Sequence, residues 1–322
     1  KIIMLGILSC MSSISFGGNK TSDSLLIQRM YDYRRNFAAE VCDSTRNIYV
    51  KYDVDVQKRN ASLALVPSLY NISRGMRMFV GEMYGAIRFK DVKHYDIQKE
   101  LQLTTVPHSS NILPTITQYL VPDIYGIDLL EGILLSPFNR QNKLYYFLRV
   151  TPVSNKYSIV TYIPRARSTQ LVKGFALVDN MTGRIVNAKI IGEYDMTEFS
   201  IDLEMGDITK NNSIIPLRST ARTLIKFTGN RISTTHIAVF NCSGTIPDSI
   251  TDKRKAMNYL RPVELTAKQR GLYDHFYGNT DSIPTTKRKA STWDIIGNHT
   301  VNSHSTGSAK ASVRLSPLIN PL

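Results

Sequence analysis

A chain of 322 residues with 42% hydrophobic side chains has enough apolar material to bury a core, which excludes a disordered protein. Its 17 Tyr against one Trp suit half-buried strand positions whose hydroxyl reaches water. The net charge of +14 is scattered over Arg34-Arg35, Lys58-Arg59, Lys253-Arg254-Lys255 and Lys287-Arg288-Lys289 without interleaved aromatics, which argues against nucleic acid and for anionic head groups or acidic sugars.

Lys1 is followed by the apolar run Ile2 to Leu8, too short for a helix that crosses a bilayer, which takes about twenty residues. The small residues Ser12 to Gly18 come next. A basic start, a short apolar centre and a small-residue exit mark residues 1–18 as a secretory signal peptide. Two exits fit: cleavage near Gly17 or Gly18, or lipidation at Cys10, since Ile7-Leu8-Ser9-Cys10 resembles a bacterial lipobox. Cys42 and Cys242 then remain, either bridged or free.

From Thr21 to Thr45 the residues Leu26, Met30, Tyr33, Phe37 and Val41 lay one apolar stripe along a helix, with Ser22 or Asp23 able to cap its start. Asn47 to Val56 then alternates as a strand, and Met76 to Phe89 and His94 to Thr105 follow as further strands. Pro107, Pro114, Pro122 and Pro137 break up the next stretch, which reads as an elaborated loop over the end of a sheet with a short helix at Leu113 to Leu120. Within it Ile127, Leu129, Leu130, Ile133, Leu134 and Leu135 form either a lipid-facing flap or an apolar plug for the core.

Seven strands are expected between Lys143 and Phe240, at 144–151, 158–163, 172–178, 185–194, 198–204, 221–227 and 232–240. The joints are turn-forming, notably Asp179-Asn180-Met181-Thr182-Gly183, and short joints make consecutive strands antiparallel neighbours. One face of such a sheet must be covered, and the amphipathic N-terminal helix is the available cover. The fold class is therefore α+β: a curved antiparallel sheet packed on an N-terminal helix, with residues 19–246 as the β-rich domain. Residues 247–322 form a basic linker, helical at Asp252 to Asn258 and Thr266 to Tyr277 and polar elsewhere.

Motifs for chemistry are not found. His94, His108, His236, His275, His299 and His304 have no metal-ligand spacing, and neither a nucleophile elbow nor a phosphate loop is present. Glu193, Asp195 and Glu198 are acidic neighbours whose ordinary role beside a turn is a solvated rim. Gly81 and Gly85 inside a strand mark a bulge or close packing.

Several segments together resemble a family of Bacteroidetes outer-membrane β-barrel proteins of unknown function: Tyr31 to Arg35, Asn47 to Tyr52, Arg59-Asn60 with Leu65 to Pro67, Phe79 to Tyr84, Leu135 to Phe138, Gly192 to Met196 and Leu315 to Leu322. The hairpin Phe175 to Ile185 is similar to the strand-turn-strand of LolA-type lipoprotein carriers, whose half-barrel cradles lipid over helices. These resemblances imply a periplasmic, LolA-like module on the inner face of the bacterial outer membrane, with the barrel to follow Leu322. They imply a non-catalytic binding or envelope-assembly role without cofactors, with lipid or lipoprotein acyl chains as partners and the membrane reached through that barrel. Two alternatives stand beside this reading, a free periplasmic carrier of acyl chains and an envelope hydrolase.

Overall fold

Leu26, Met30 and Tyr33, one helical turn apart, are buried along α1 (Lys20–Phe37), while Asp23 stands in its first turn and Arg34 and Arg35 in its last, charges that suit the helix dipole. Burying each such side chain stabilises by roughly 1.5–3 kcal/mol, which is what anchors an otherwise polar helix. The computed structural model describes residues 20–37, 44–65, 77–105, 119–130, 132–194, 196–209, 211–242, 244, 252–278, 300–302 and 312–314. Cys10, Cys42, Asp195 and residues 113–118 of the helix expected at Leu113 to Leu120 lie outside them, and with them the choices of lipidation and disulfide. The helix expected to reach Thr45 gives way earlier, because Ser44 and Thr45 already pair with Phe89 and Arg88 as strand.

The strands are β1 (Ser44–Lys58), β2 (Met78–Phe89), β3 (Tyr95–Thr104), the short β4 (Asp128–Leu130) and β5 (Leu134–Leu135), and β6 (Tyr146–Pro152). After them come β7 (Tyr157–Pro164), β8 (Lys173–Asp179), β9 (Ile185–Tyr194), β10 (Thr197–Glu204), β11 (Arg218–Phe227) and β12 (Asn230–Phe240). Ten of them form one antiparallel sheet in the order β3-β2-β1-β12-β11-β10-β9-β8-β7-β6, and β4 pairs with β5 separately. The sheet is curved and open, with β3 and β6 as its edges. The expected class, an antiparallel sheet over an N-terminal helix, is what the structure shows. Leu144 and Tyr145, expected to start a strand, instead belong to a 3-10 helix (Arg140–Tyr145) capped by the Asn139 side chain, which accepts from the Gln141 amide.

Strand alternation gives the sheet two faces. On the first, Ile48, Val50, Tyr52, Val54 and Val56 of β1 join Leu26, Met30 and Tyr33 of α1 in the main core. On the second, Tyr49, Val80 and Tyr84 meet two further helices, α2 (Lys253–Leu260) and α3 (Ala267–Gly278). Strand β3 serves both faces: Tyr84 pairs with Leu101 but Gly85 with Lys99, so Glu100 is an extra residue. This bulge flips the side-chain parity. Tyr95 and Ile97 therefore pack on the first face, and Leu101 and Leu103 on the second. Gly85 sits at that bulge, where a Cβ would lie 2.2 Å from the Gln98 carbonyl oxygen.

The two helices expected inside the basic linker 247–322 are thus not linker but part of the packed fold, because Met257, Leu260 and Tyr273 bury against Tyr49, Val80 and Tyr84. Asp252 caps α2 by accepting from the Arg254 and Lys255 amides, and Met257 is fully buried. In the remainder of that segment, Thr300–Asn302 and Ser312–Arg314 pair as a short antiparallel ladder, β13 and β14. No helix among the described residues is long and apolar enough to cross a membrane.

Candidate binding groove and its supports

The loop singled out by its leucines divides between core and surface. Leu129, Leu130 and Leu134 are buried in the main core, Ile133 and Leu135 pack partly against it, and Ile127 is 48% exposed. A ring of polar contacts holds the segment down. Arg34 of α1 donates to both carboxylate oxygens of the buried Asp123, at 3.0 and 3.3 Å, and Arg140 reaches Asp32 of α1 at 2.8 Å. The buried Asn142 side chain donates to the Ile127 and Ser136 carbonyls, and Lys93 is ion-paired with Asp128. Three of the leucines thus plug the first face, and only Ile127 presents a large apolar surface to solvent.

The β8–β9 hairpin docks on the helix. Asp179 Oδ1 accepts from the Met181 and Thr182 amides, both at 2.9 Å, and Gly183 turns the chain with φ +77. A Cβ on Gly183 would lie 2.3 Å from the Arg29 carbonyl carbon, so only glycine lets the turn meet α1 this closely. Arg29 donates to the Asn180 carbonyl at 2.7 Å, and the Asn180 side chain holds Ser154 and Asn155 of the neighbouring turn.

The next residue, Arg184, is 1% exposed. It donates to the Tyr33 hydroxyl at 2.6 Å, to the Gly206 carbonyl at 2.8 Å, and to those of Met205 and Ser213 at 3.1 and 3.2 Å. Among the described residues no carboxylate pairs with it, so carbonyl dipoles and the Tyr33 ring balance the charge. Sequence reasoning missed this residue. Its one local signal is an arginine placed directly before the apolar run of β9.

A groove of about 670 Å³ opens where the 164–173 connection borders the ends of β9, β10 and β11. Leu171, Ile191, Phe199 and Leu224 supply apolar lining, and Arg167, Lys173 and Arg222 supply cations. Arg222 is already engaged by Asp202, which also receives Lys189 at 3.0 Å. Arg167 and Lys173 have no carboxylate partner among the described residues. Gly192 brings the wall close, since a Cβ there would lie 2.4 Å from the Phe199 ring. Apolar walls with a few basic groups at the rim can take a ligand with an apolar body and an anionic end.

The acidic candidates border the same groove. Glu193 and Glu198 stand opposite each other on β9 and β10, both exposed, and Glu198 is ion-paired with Lys226. The lysine relieves the cross-strand repulsion, which is the arrangement of a solvated rim. Of the histidines, His94 bonds Asp91 at 2.7 Å, and His236 is buried on the core side of β12. Burial pushes the His236 pKa down to about 4. His108, His299 and His304 lie outside the described residues.

No family model matches this chain, and no curated protein matches it. Solved structures similar to it include a LolA superfamily protein from Nitrosomonas europaea, at 10% identity over 72% of this chain and 98% of that one, with a TM-score of 0.22. They also include MucB, at 9% identity over 70% of this chain and 94% of that one with a TM-score of 0.26, and the Pseudomonas aeruginosa MucA/MucB complex, at 7% identity over 69% and 94% with a TM-score of 0.20.

Proposed function

We propose that this chain is a non-catalytic binding module of the bacterial envelope, acting on the periplasmic side of the outer membrane, and that its groove takes an amphiphile with an acyl chain and an anionic head. The observation that carries the reading is the groove itself: apolar Ile191, Phe199 and Leu224 lie beside Arg167 and Lys173, two cations with no carboxylate partner among the described residues. An acyl chain would remove apolar surface from water, at roughly 25 cal/mol per Å², while the cations face the head group. The secretory pattern of residues 1–18 supports export, and the resemblance of segments along the chain from Tyr31 to Leu322 to barrel proteins supports the outer membrane.

The test is calorimetric titration of the purified chain with lysophosphatidylglycerol and, separately, with lysophosphatidylcholine. Saturable binding that prefers the anionic lipid, and that Leu224→Asp or Lys173→Glu weakens, is the expected result. Absence of saturable binding to either lipid sinks the proposal.

A further inference from the structure

Between Glu131 and Asp179 the chain contains no Asp or Glu, yet it carries Arg140, Lys143, Arg149, Lys156, Arg165, Arg167 and Lys173. Arg140 is paired with Asp32 and Lys156 with Asp207, and the other five have no carboxylate partner among the described residues. This stretch folds as the β6 edge of the sheet with β7 and β8, so the charges gather at one end of the molecule.

The second face of these strands is not covered by α2 or α3, which pack over β1 to β3. Register places its side chains in rows. Phe147 pairs with Ile163, and Arg149 with Thr161, which in turn pairs with Phe175. Phe147 is 54% exposed, Ile163 55% and Phe175 40%, and Leu144, at the base of β6, is 80% exposed. The Arg165 guanidinium lies 4.0 Å over the Phe147 ring. Exposed apolar side chains beside cations that have no carboxylate partner among the described residues are what a surface needs to sit in the head-group region of an anionic bilayer.

We propose that this outer face of β6, β7 and β8 docks on a bilayer rich in anionic phospholipid, with Phe147, Phe175, Ile163 and Leu144 entering the interface and Lys143, Arg149 and Arg165 meeting phosphates. Charge complementarity selects this occupant. A second copy of the chain, brought face to face by a two-fold axis, would oppose like charges, and Arg149 and Pro152 on β6 resist pairing of the free edge with another strand. The aliphatic Leu144 and Ile163 add apolar area that a bilayer interface buries, whereas bases would stack only on Phe147 and Phe175. The inference is independent of the groove, whose wall does not include Lys143, Phe147 or Arg149.

The test is co-sedimentation with vesicles of phosphatidylcholine alone and of phosphatidylcholine mixed with phosphatidylglycerol. The unaltered chain pellets with the anionic vesicles and not with the neutral ones, and added salt releases it. Lys143→Ala combined with Arg149→Ala weakens this binding about thirty-fold, and Phe147→Ser combined with Phe175→Ser weakens it at least about ten-fold. All four positions are exposed, so unchanged circular dichroism verifies that the variants fold. Equal binding to both vesicle types, insensitivity to salt, or RNA binding without vesicle binding overturns the proposal. Folded patch variants that pellet like the parent do so too.

Discussion

The guanidinium of Arg261 grips both carboxylate oxygens of Glu82, at 2.6 and 2.8 Å. Glu82 is wholly buried in β2, and Arg261 follows directly on α2, so this pair ties the helical cover to the second face. Tyr49 donates to the same carboxylate at 2.5 Å, and desolvation together with the Glu82 charge drives the Tyr49 pKa far up. Nearby, Lys51 donates to the Glu264 carbonyl at 3.0 Å and Gln269 to Asp53 at 3.2 Å, sewing the start of α3 to β1.

Removing one partner leaves the other buried and uncompensated, so Arg261→Ala is expected to cost about 3–5 kcal/mol in denaturant unfolding. The paired replacement Glu82→Leu with Arg261→Met should recover most of that loss. If Arg261→Ala alone unfolds within about 1 kcal/mol of the parent, the clamp does not hold the helices.

Arg184 gives a graded expectation. Arg184→Ala strips buried carbonyls and the Tyr33 hydroxyl of their donor and opens a cavity, for a loss of several kcal/mol, about 3 or more. Tyr33→Phe removes one acceptor only and should cost about 1 kcal/mol, or somewhat more because the donor is charged. Equal losses from the two substitutions would show that the guanidinium is not the hub of the joint between α1 and the sheet.

Gly183→Ala combines a positive φ with a clash against the Arg29 backbone, which cannot move like a flexible side chain. A loss of about 2–4 kcal/mol is expected, read as a lowered Tm. Gly229→Ala is the informative comparison. It shares the positive φ of +81, but its Cβ would find only the Asn60 side chain, at 3.3 Å, so the smaller loss belongs there.

His236 makes stability depend on pH. Its Nε2 and the Thr234 hydroxyl are 2.8 Å apart, and Nδ1 is buried without a partner among the described residues. Burial lowers its folded pKa to about 4, below the unfolded value near 6.5, so the unfolded chain binds the proton first as pH falls. Its contribution is therefore fully present above about pH 6.5 and is lost down to about pH 4, by up to roughly 3 kcal/mol. His236→Gln should flatten stability over that window in urea titrations, and an unchanged slope would contradict the assignment.

The residue order already told much of the fold. Every strand of the large sheet is visible as alternation or as a run between turns, because a pleated strand with one covered face must repeat every second residue. The same holds for α1, α2 and α3, whose spacing repeats near 3.6. Of the groove, only the acidic rim at Glu193 and Glu198 attracted notice, since its walls come from four separate segments that share no local pattern.

What only tertiary structure decided is whatever depends on partners distant in the chain. Alternation marks β1 as a strand but does not say that Val50 sits opposite Ala238, the pairing that joins the N-terminal strands to the meander. Parity alone could not assign Leu101 and Leu103 to the second face, because the extra residue Glu100 reverses it. Nor could a charge at Glu82, inside an apolar run, be read as buried before Arg261, 179 positions later, was seen beside it. Local periodicity reports which side of an element avoids water; only the assembled sheet says what stands there instead.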